Sequence, residues 1–565
     1  MKRYELRQSP PEAVVSALGA YAPIVQTLLY NRGIEAAEAA QAFLEPQFER
    51  DVHDPLLLPN MQAAVDRILQ AVAAGERITV YADYDADGVP GAAMLTDFFT
   101  ASGVTFDVYI PHRNREGFGL NEQAIRAIAE RGTTLLLTLD CGVADVEEVA
   151  LARSLGMDVV ITDHHEPHDA LPPAIIVNHK LKDATYPERI LCGTGVAFKL
   201  VQALVASGKM NFTAGQEKWF LDLVGIATLS DMVPLVGENR ALAHFGLLVL
   251  KKTRRHGLRE LLRKTGTNIR DITETDIGFS IAPRINAASR MGEPAAALAM
   301  LTAADAVSAA EHVAHLHHIN DARKGHVAAI VKAVHKKVVE QGIGDRPIVV
   351  AGHPEWQPSL LGLAASSIAE HYRKPTFLWG RGDGVELKGS CRTANGISTL
   401  AIMQAAADAL ETFGGHAQAG GFVVARDKVD TLLDALSDGY AAAACVPDDE
   451  PEWIDATLAL DDVNHRTYTT VRSLAPFGVG NPEPVFLLQN VLVKQVEQFG
   501  KTREHLRLVF HRQQGGDVEA IAFYTTPTAL TRNVSPGDRR DIVATLDKNT
   551  WGSRQSVRLR LKDVL

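Results

Sequence analysis

Cysteine is scarce in this chain of 565 residues: there are four, Cys141, Cys192, Cys391 and Cys445, far apart and with no Cys-x-x-Cys pair. That spacing argues against a zinc ribbon or a disulfide framework and fits a reducing cytoplasm. No run of about 18 uncharged apolar residues occurs, so no membrane span is expected. The opening MKRYELRQSPPEAVV has no long apolar segment behind its basic residues and does not read as a signal peptide. Short tandem repeats and low-complexity tracts are missing as well. Positive charge is in deficit, with 57 Lys and Arg against 68 Asp and Glu, a net −11. Alone, that balance argues mildly against nucleic-acid binding, although binding depends on local patches.

What is present suggests several domains, since one core does not serve this length. Residues 1–50 read as a polar, helical N-terminal appendage. Across 51–235, apolar β-rich runs alternate with helical stretches: ITVYAD (78–83), TFDVYI (105–110), TLLLTLD (134–140), DVVITD (158–163) and AIIVN (174–178). Continuous apolar strands separated by single helices indicate a parallel sheet covered on both faces, an α/β domain. Residues 236–345 read as mostly helical and include a stretch broken only by Gly325, which predicts one long connecting helix. A smaller α/β unit is expected at 346–445. The acidic VPDDEPEW (446–453) reads as a linker, and the short alternating strands that follow, to residue 565, suggest a small β-barrel of the OB type.

Three strand ends carry the same chemistry. ITVYADYDADG offers Asp83, Asp85 and Asp87; TLLLTLDCG ends in Asp140; DVVITDHHE ends in Asp163, His164, His165 and Glu166. The carboxyl ends of parallel strands line a sheet's ligand crevice, so these clusters should meet at one edge. Asp231, after a long apolar helical run, supplies a further carboxylate. So many like charges beside an apolar core repel one another and lose hydration. A divalent cation resolves this, and carboxylate with imidazole suits Mn²⁺ or Mg²⁺ better than structural zinc. Five or six ligands make two ions with a bridging carboxylate plausible, as in phosphoesterases. Taken singly, an Asp-x-Asp turn reads as a solvated turn, and Asp-His-His as a helix cap with a packed histidine. His164 and His165 point in different directions, so at most one is a simple ligand.

Candidates for phosphate binding lie elsewhere. The loop IPHRNREGFGL (110–120) carries Arg113, Asn114 and Arg115, suited to gripping a nucleic-acid backbone or to plain solvation. APRINAASR (282–290) holds Arg284, Asn286 and Arg290, otherwise a helix-end charge cluster, and LHHINDARK places Asn320 and Arg323 on one helical face, otherwise merely exposed. KGSCRT and FGGHAQAGG combine glycines, which let backbone N–H groups approach an anion, with Ser390, Arg392 and His416. Tight hairpin packing is the alternative there. From Lys501 to Leu565 there are 12 Lys and Arg against 7 Asp and Glu, the opposite sign to the whole chain. Phe510, Phe523, Tyr524 and Trp551 could stack on bases, with most expected in the core and Trp551 the best candidate for exposure.

The ordered set DYDADG, PHRNREGFGL, LDCGV, TDHHE, SDMVPL, PRINAASR, GSCR, GGHAQAGG and APFGVGNPEPVF resembles the RecJ single-stranded-DNA exonucleases of the DHH phosphoesterase superfamily. The resemblance implies a DHH domain, a long connecting helix, a DHH-associated domain and an OB-fold, together enclosing a channel for one strand. It implies that Asp85, Asp87, Asp140, His164 and Asp231 hold two Mn²⁺ or Mg²⁺ ions, with Asp140 bridging and Asp83 either a ligand or a supporting group. It further implies that His165 stabilises the scissile phosphate and that Arg284, Asn320, Arg323, Ser390, Arg392 and His416 surround substrate phosphates, including the 5′ end. The implied activity is 5′→3′ hydrolysis to 5′ mononucleotides, in DNA repair and recombination. A cytoplasmic monomer is expected, with single-stranded-DNA-binding protein and a RecQ-type helicase as partners by family. Pro90, where a small or hydroxyl residue is common, and Ser289, where glycine is usual, depart from the pattern. Rival readings are a DHH enzyme for very short RNA or cyclic dinucleotides, and a non-enzymatic replication scaffold.

Overall fold

The computed structural model describes residues 3–340, 342–381, 386–394, 396–443, 451–500, 503–549 and 556–565. They form two compact units, one of residues 53–233 and 245–448, the other of 1–52, 234–244 and 449–565. No helix among the described residues is long and apolar enough to cross a membrane.

The first unit holds a five-stranded sheet, β1 (Ile78–Ala82), β2 (Phe106–Tyr109), β3 (Leu135–Leu139), β4 (Asp158–Thr162) and β5 (Ile175–Val177), in the order β2-β1-β3-β4-β5. Every pairing is parallel. β1 and β3 are buried along their whole length, as a sheet covered on both faces requires. The expected runs at 78–83, 105–110, 134–140, 158–163 and 174–178 are all strands, and their carboxyl ends fall on one edge.

Helices from this edge complete the frame: α1 (Gly88–Ser102), α2 (Gly193–Ala206), α3 (Leu221–Ser230), α4 (Ala282–Arg290) and α5 (Ala306–Glu340). α5 runs unbroken for 35 residues, through Gly325, as the alanine-rich sequence predicts. Its buried apolar positions fall in two runs at three- and four-residue spacing, Ala309, Val313, Leu316 and Ile319, then Ile330, Val334 and Val338, and form its packed stripe, with Asn320 buried beside the first.

α5 leads into a second sheet, β6 (Val349–His353), β7 (Thr376–Arg381), β8 (Leu387–Arg392), β9 (Leu410–Gly415) and β10 (Ala419–Val424), ordered β9-β10-β8-β7-β6, and α6 (Pro358–Tyr372) packs on it. Only β6 and β7 are parallel; the rest pair antiparallel.

In the other unit, β11 (Phe486–Phe499), β12 (His505–His511), β13 (Asp517–Ala522), β14 (Arg539–Asn549) and β15 (Ser556–Val564) run in the order β11-β12-β13-β15-β14, and β14 pairs back to β11. That closes a five-stranded barrel of OB type. Val14, Leu18, Leu28 and Leu29 share its core with Phe486, Leu508, Phe510 and Leu559, so the N-terminal segment packs into this unit. Tyr4–Leu6 pairs in parallel with Glu452–Ile454. Of the aromatic candidates, Phe510 is core, whereas Phe523 and Tyr524 are exposed, so the expectation that most are buried fails for those two. Trp551 lies outside the described residues.

Candidate metal centre and anion pocket

The carboxyl edge of the parallel sheet gathers the acidic candidates. Asp83 follows β1, Asp140 follows β3, His164 and His165 follow β4, and Asp231 caps the end of α3. Ligand atoms of Asp83, Asp85 and Asp140 lie within 4.8 Å of one another; so do those of Asp87, His164 and Asp231, and those of Asp140, His164 and His165. Asp140 belongs to two of these groups, with its Oδ1 3.2 Å from His164 Nε2.

Local backbone explains how the chain holds them so close. Asp140 adopts a left-handed conformation, φ 62°, rare for a residue other than glycine and a source of strain that turns its carboxylate into the crevice. Gly193 must be glycine, because a Cβ there would collide with the Asp140 carboxylate. The N-terminus of α2 binds Asp87: the N–H groups of Gly193 and Thr194 donate to its two oxygens at 2.6 and 2.8 Å. Exposed amides and the helix dipole favour the charge there.

Asp163, fully buried, plays a different part. It accepts hydrogen bonds from the N–H groups of Val143, His164 and His165 and lies 2.8 Å from His165 Nδ1. Burial pushes its carboxyl up, but the His165 hydrogen bond and charge outweigh that and leave it below the ordinary range. Burial lowers His165 in turn, yet Asp163 and the surrounding carboxylates raise it above the usual imidazole value. His164, dominated by burial, is lowered and favours the neutral form a ligand needs. One histidine thus favours its neutral form and the other its protonated form. The sequence presented Asp163 only as part of a cluster; its position directly before two histidines was the available signal.

The cluster is built for a cation. Asp83 Oδ1 and Asp140 Oδ1 are buried with no hydrogen-bond partner. Burial, followed by neighbouring carboxylates, raises Asp140, Asp83 and Asp87, and pushes Asp231 up to about 8. Without a metal these groups bind protons more tightly folded than unfolded. Stability from them is present below the unfolded carboxylate range and lost as pH rises through about 8. The metal-free protein should therefore melt at progressively lower temperature from pH 5 to 8.5. Calorimetric Mn²⁺ titration in buffers of different ionisation enthalpy should show proton release at pH 7.

A second cluster carries the opposite charge. Arg113, Asn114, Arg115, Arg290, Ser390 and Arg392 line one cavity of about 890 Å³, together with Tyr84, Lys388 and Gly389. Arg113 lies over the Tyr84 ring, 4.8 Å from its centroid. Burial, and after it Arg113, Arg323 and Arg392, lowers Arg290 to about 9. Arg290 Nη1 donates to the Ser359 carbonyl at 2.7 Å, and an added Cβ at Gly362 would sit 2.8 Å from Arg392 Nη2. Mutually repelling guanidinium groups in a concave wall form an anion site.

The remaining candidates divide. Arg284 and Asn320 are buried, and Arg284 Nε, Arg323 Nε and both amide atoms of Asn320 lack partners. They form a polar group at the α4–α5 contact, outside the cavity lining. Asn286 accepts from the Ala86 N–H at 2.8 Å, tying α4 to the loop that carries Asp85 and Asp87. His416 is exposed on the β9–β10 hairpin and is not one of the residues lining the cavity, which that hairpin reaches with Phe413 and Gly414. Glu166 pairs with Lys180 at 3.1 Å. Pro90 and Ser289 are both accommodated, Pro90 inside the first turn of α1, where its missing N–H is not needed.

A doubly covered parallel sheet with aspartates and a histidine pair at its carboxyl edge, joined to an arginine-lined domain, defines a phosphoesterase of the DHH class. The DHH family N-terminal domain matches residues 77–228, the DHHA1 domain 345–441 and the RecJ OB domain 454–563. The single-stranded-DNA-specific exonuclease RecJ of Bacillus subtilis is 34% identical over 96% of this chain and 68% of its own length. That of Thermus thermophilus is 32% identical over 93% of this chain and 75% of its own. The chain belongs to the RecJ family. The crystal structure of RecJ in complex with Mn²⁺ from Thermus thermophilus superposes with a TM-score of 0.81 at 28% identity, covering all of this chain and 79% of that one.

Proposed function

We propose that this chain is a metal-dependent exonuclease that hydrolyses single-stranded DNA from the 5′ end and releases 5′ mononucleotides. The observation that carries it is the convergence of Asp83, Asp85, Asp87, Asp140, His164 and Asp231, with buried carboxylate oxygens left unpartnered. Their donor set fits two Mn²⁺ or Mg²⁺ ions held by Asp85, Asp87, Asp140, His164 and Asp231, with Asp140 shared and Asp83 a ligand or a support. When bound, such a pair makes a water acidic enough to ionise near neutral pH and offsets charge on the phosphate.

The chain's own residues supply the rest. His165 keeps its proton through Asp163 and donates it toward the scissile phosphate. Arg113, Arg115, Arg290, Arg392, Ser390 and Asn114 hold a terminal phosphate in their cavity, and Arg284, Asn320 and Arg323 grip further phosphates, with Asn286 and His416 at the margins. The basic strand face of the OB barrel follows a single strand, so binding weakens with salt. We assign the chain to repair and recombination as a cytoplasmic monomer beside a single-stranded-DNA-binding protein and a RecQ-type helicase, all on family grounds. As domains we assign 1–50, 51–235, 236–345, 346–445 and 446–565.

End-labelled single strands of both polarities, with 5′ phosphate or 5′ hydroxyl, in Mn²⁺ and Mg²⁺, test this reading. Mononucleotide release from the 5′ end is expected, and faster on a long strand than on a dinucleotide. Intact strands, or a preference for dinucleotides, contradict it. Arg392→Ala should cost about 10- to 100-fold in kcat/KM on the 5′-phosphorylated strand and far less on the 5′-hydroxyl strand.

A further inference from the structure

Lys180 stands at the carboxyl edge of the parallel sheet, outside both the acidic cluster and the lining of the anion cavity. It lies just past β5, the edge strand beside β4, which delivers His164 and His165. Buried groups hold its backbone. The Lys180 N–H donates to Asn178 Oδ1 at 2.8 Å, and Asn178 Nδ2 donates to the His165 carbonyl at 2.9 Å. His179 sits with Nε2 3.0 Å from the Leu191 carbonyl. Asn178 and His179 are both fully buried, so Lys180 is tied to the loop that carries the two histidines. Its charge reaches the metal centre. Burial leads in lowering His164 and in raising Asp231, and Lys180 adds to the first effect and opposes the second. The ammonium group therefore acts on the half of the centre formed by Asp87, His164 and Asp231.

Its partner is poorly matched. Nζ lies 3.1 Å from Glu166 Oε1, yet the glutamate side chain is 78% exposed and that of the lysine only 24%. A pair with one member mostly in water contributes little and opens readily. Lysine on its flexible stem is then a movable point charge suited to phosphate. Sheet order supplies the direction. Along the carboxyl edge the strands run β2-β1-β3-β4-β5. The loop after β2 brings Arg113 and Arg115 to the anion cavity, and Tyr84, after β1, lines it too. Asp140 and His164 follow from β3 and β4, and Lys180 from β5 ends the row. Neighbouring strands lie about 4.8 Å apart, which puts β5 about 14 Å from β1. The cavity thus stands at one end, the metal ligands between, and Lys180 at the other end. A strand whose 5′ phosphate fills the cavity and whose next phosphate is cut at the centre runs on toward Lys180.

We propose that Lys180 leaves Glu166 to hold the first phosphate beyond the scissile one, so that the strand is gripped on both sides of the cut. This inference rests on the nuclease reading above and adds a substrate-positioning residue to it. Single-turnover release of the first nucleotide by the full chain tests it, on 5′-phosphorylated strands labelled at that end. One strand has natural linkages throughout; two others carry a single neutral methylphosphonate, at the second or at the fourth linkage, the first being the scissile one. Lys180→Met should slow the natural strand about 10-fold or more, and Lys180→Arg should keep most of the rate. With the second linkage neutral, wild type should fall to the rate of Lys180→Met, so the penalty of the substitution disappears. With the fourth neutral, the penalty should persist in full. Glu166→Gln frees the ammonium group and should cleave at least as fast as wild type. A penalty that survives the neutral second linkage or vanishes with the neutral fourth, no penalty on the natural strand, or a Glu166→Gln loss as large as that of Lys180→Met overturns the inference while leaving the nuclease reading standing. A wild type that leaves every strand intact removes both. Because the penalty is compared between strands, a loss of stability in Lys180→Met does not imitate the expected result.

Discussion

Asp140→Ala is expected to abolish cleavage, lowering the rate by about a thousandfold or more, while single-strand binding through the arginine cavity persists. The carboxylate stands between the two halves of the acidic cluster, grouped with Asp83 and Asp85 on one side and with His164 and His165 on the other. Only Asp140 links the Asp83–Asp85 group to a group that contains His164, which in turn joins Asp87 and Asp231, so its removal disturbs both sides of the cluster at once. Neutralising the same carboxylate should have the opposite effect on stability. Asp140 is buried beside Asp83, Asp85 and Asp87, and its Oδ1, though 3.2 Å from His164 Nε2, has no hydrogen-bond partner. Asp140→Asn removes that repulsion, so in chelator the variant should melt at a higher temperature than wild type, and added Mn²⁺ should stabilise it less. An inactive, more stable variant is the signature of a site strained toward function. Differential scanning calorimetry with and without Mn²⁺ reads both halves of this expectation, and a destabilised Asp140→Asn in chelator contradicts it.

Asp163→Ala carries the second large effect, with a different signature. Three backbone N–H groups and the His165 ring converge on its carboxylate. Removing it strands these donors in a buried setting and should cost on the order of 3–5 kcal/mol of stability. His165 also loses the partner that keeps it protonated. Asp163→Asn is the sharper probe, since it holds the shape and withdraws the charge. Activity should fall at least about 100-fold, and the alkaline limb of the pH–rate profile should move to lower pH as His165 loses its proton more readily. An Asp163→Asn enzyme with an unmoved profile would show that the histidine does not act through this pair.

Much of this was legible in the sequence because parallel strands announce themselves. ITVYA and LLLTL are continuous apolar runs with no polar alternation, and each ends at a carboxylate. The side chains at the ends of such strands share one edge whatever the rest of the fold does. The arginine cavity was legible only as separate fragments. Arg113, Arg290 and Arg392 come from a loop, a helix end and a strand nearly 280 residues apart, and tertiary packing alone unites them. The N-terminal segment shows the same limit: Tyr4–Leu6 pairs with Glu452–Ile454, a contact no local pattern encodes. Phe523 and Tyr524 were expected mostly as core on grounds of aromatic scarcity. They fall just past the end of β13, where alternation no longer governs burial, and Tyr524 takes a left-handed conformation, φ 51°.

The central claim is that side chains from four separate segments assemble around a pair of divalent cations. Anomalous diffraction at the manganese edge from crystals of the full chain soaked in Mn²⁺ tests it most directly. The account predicts two peaks flanking the Asp140 carboxylate, one beside Asp83 and Asp85, the other beside Asp87, His164 and Asp231. No peak among these residues, or a single ion lying elsewhere on the chain, would contradict it.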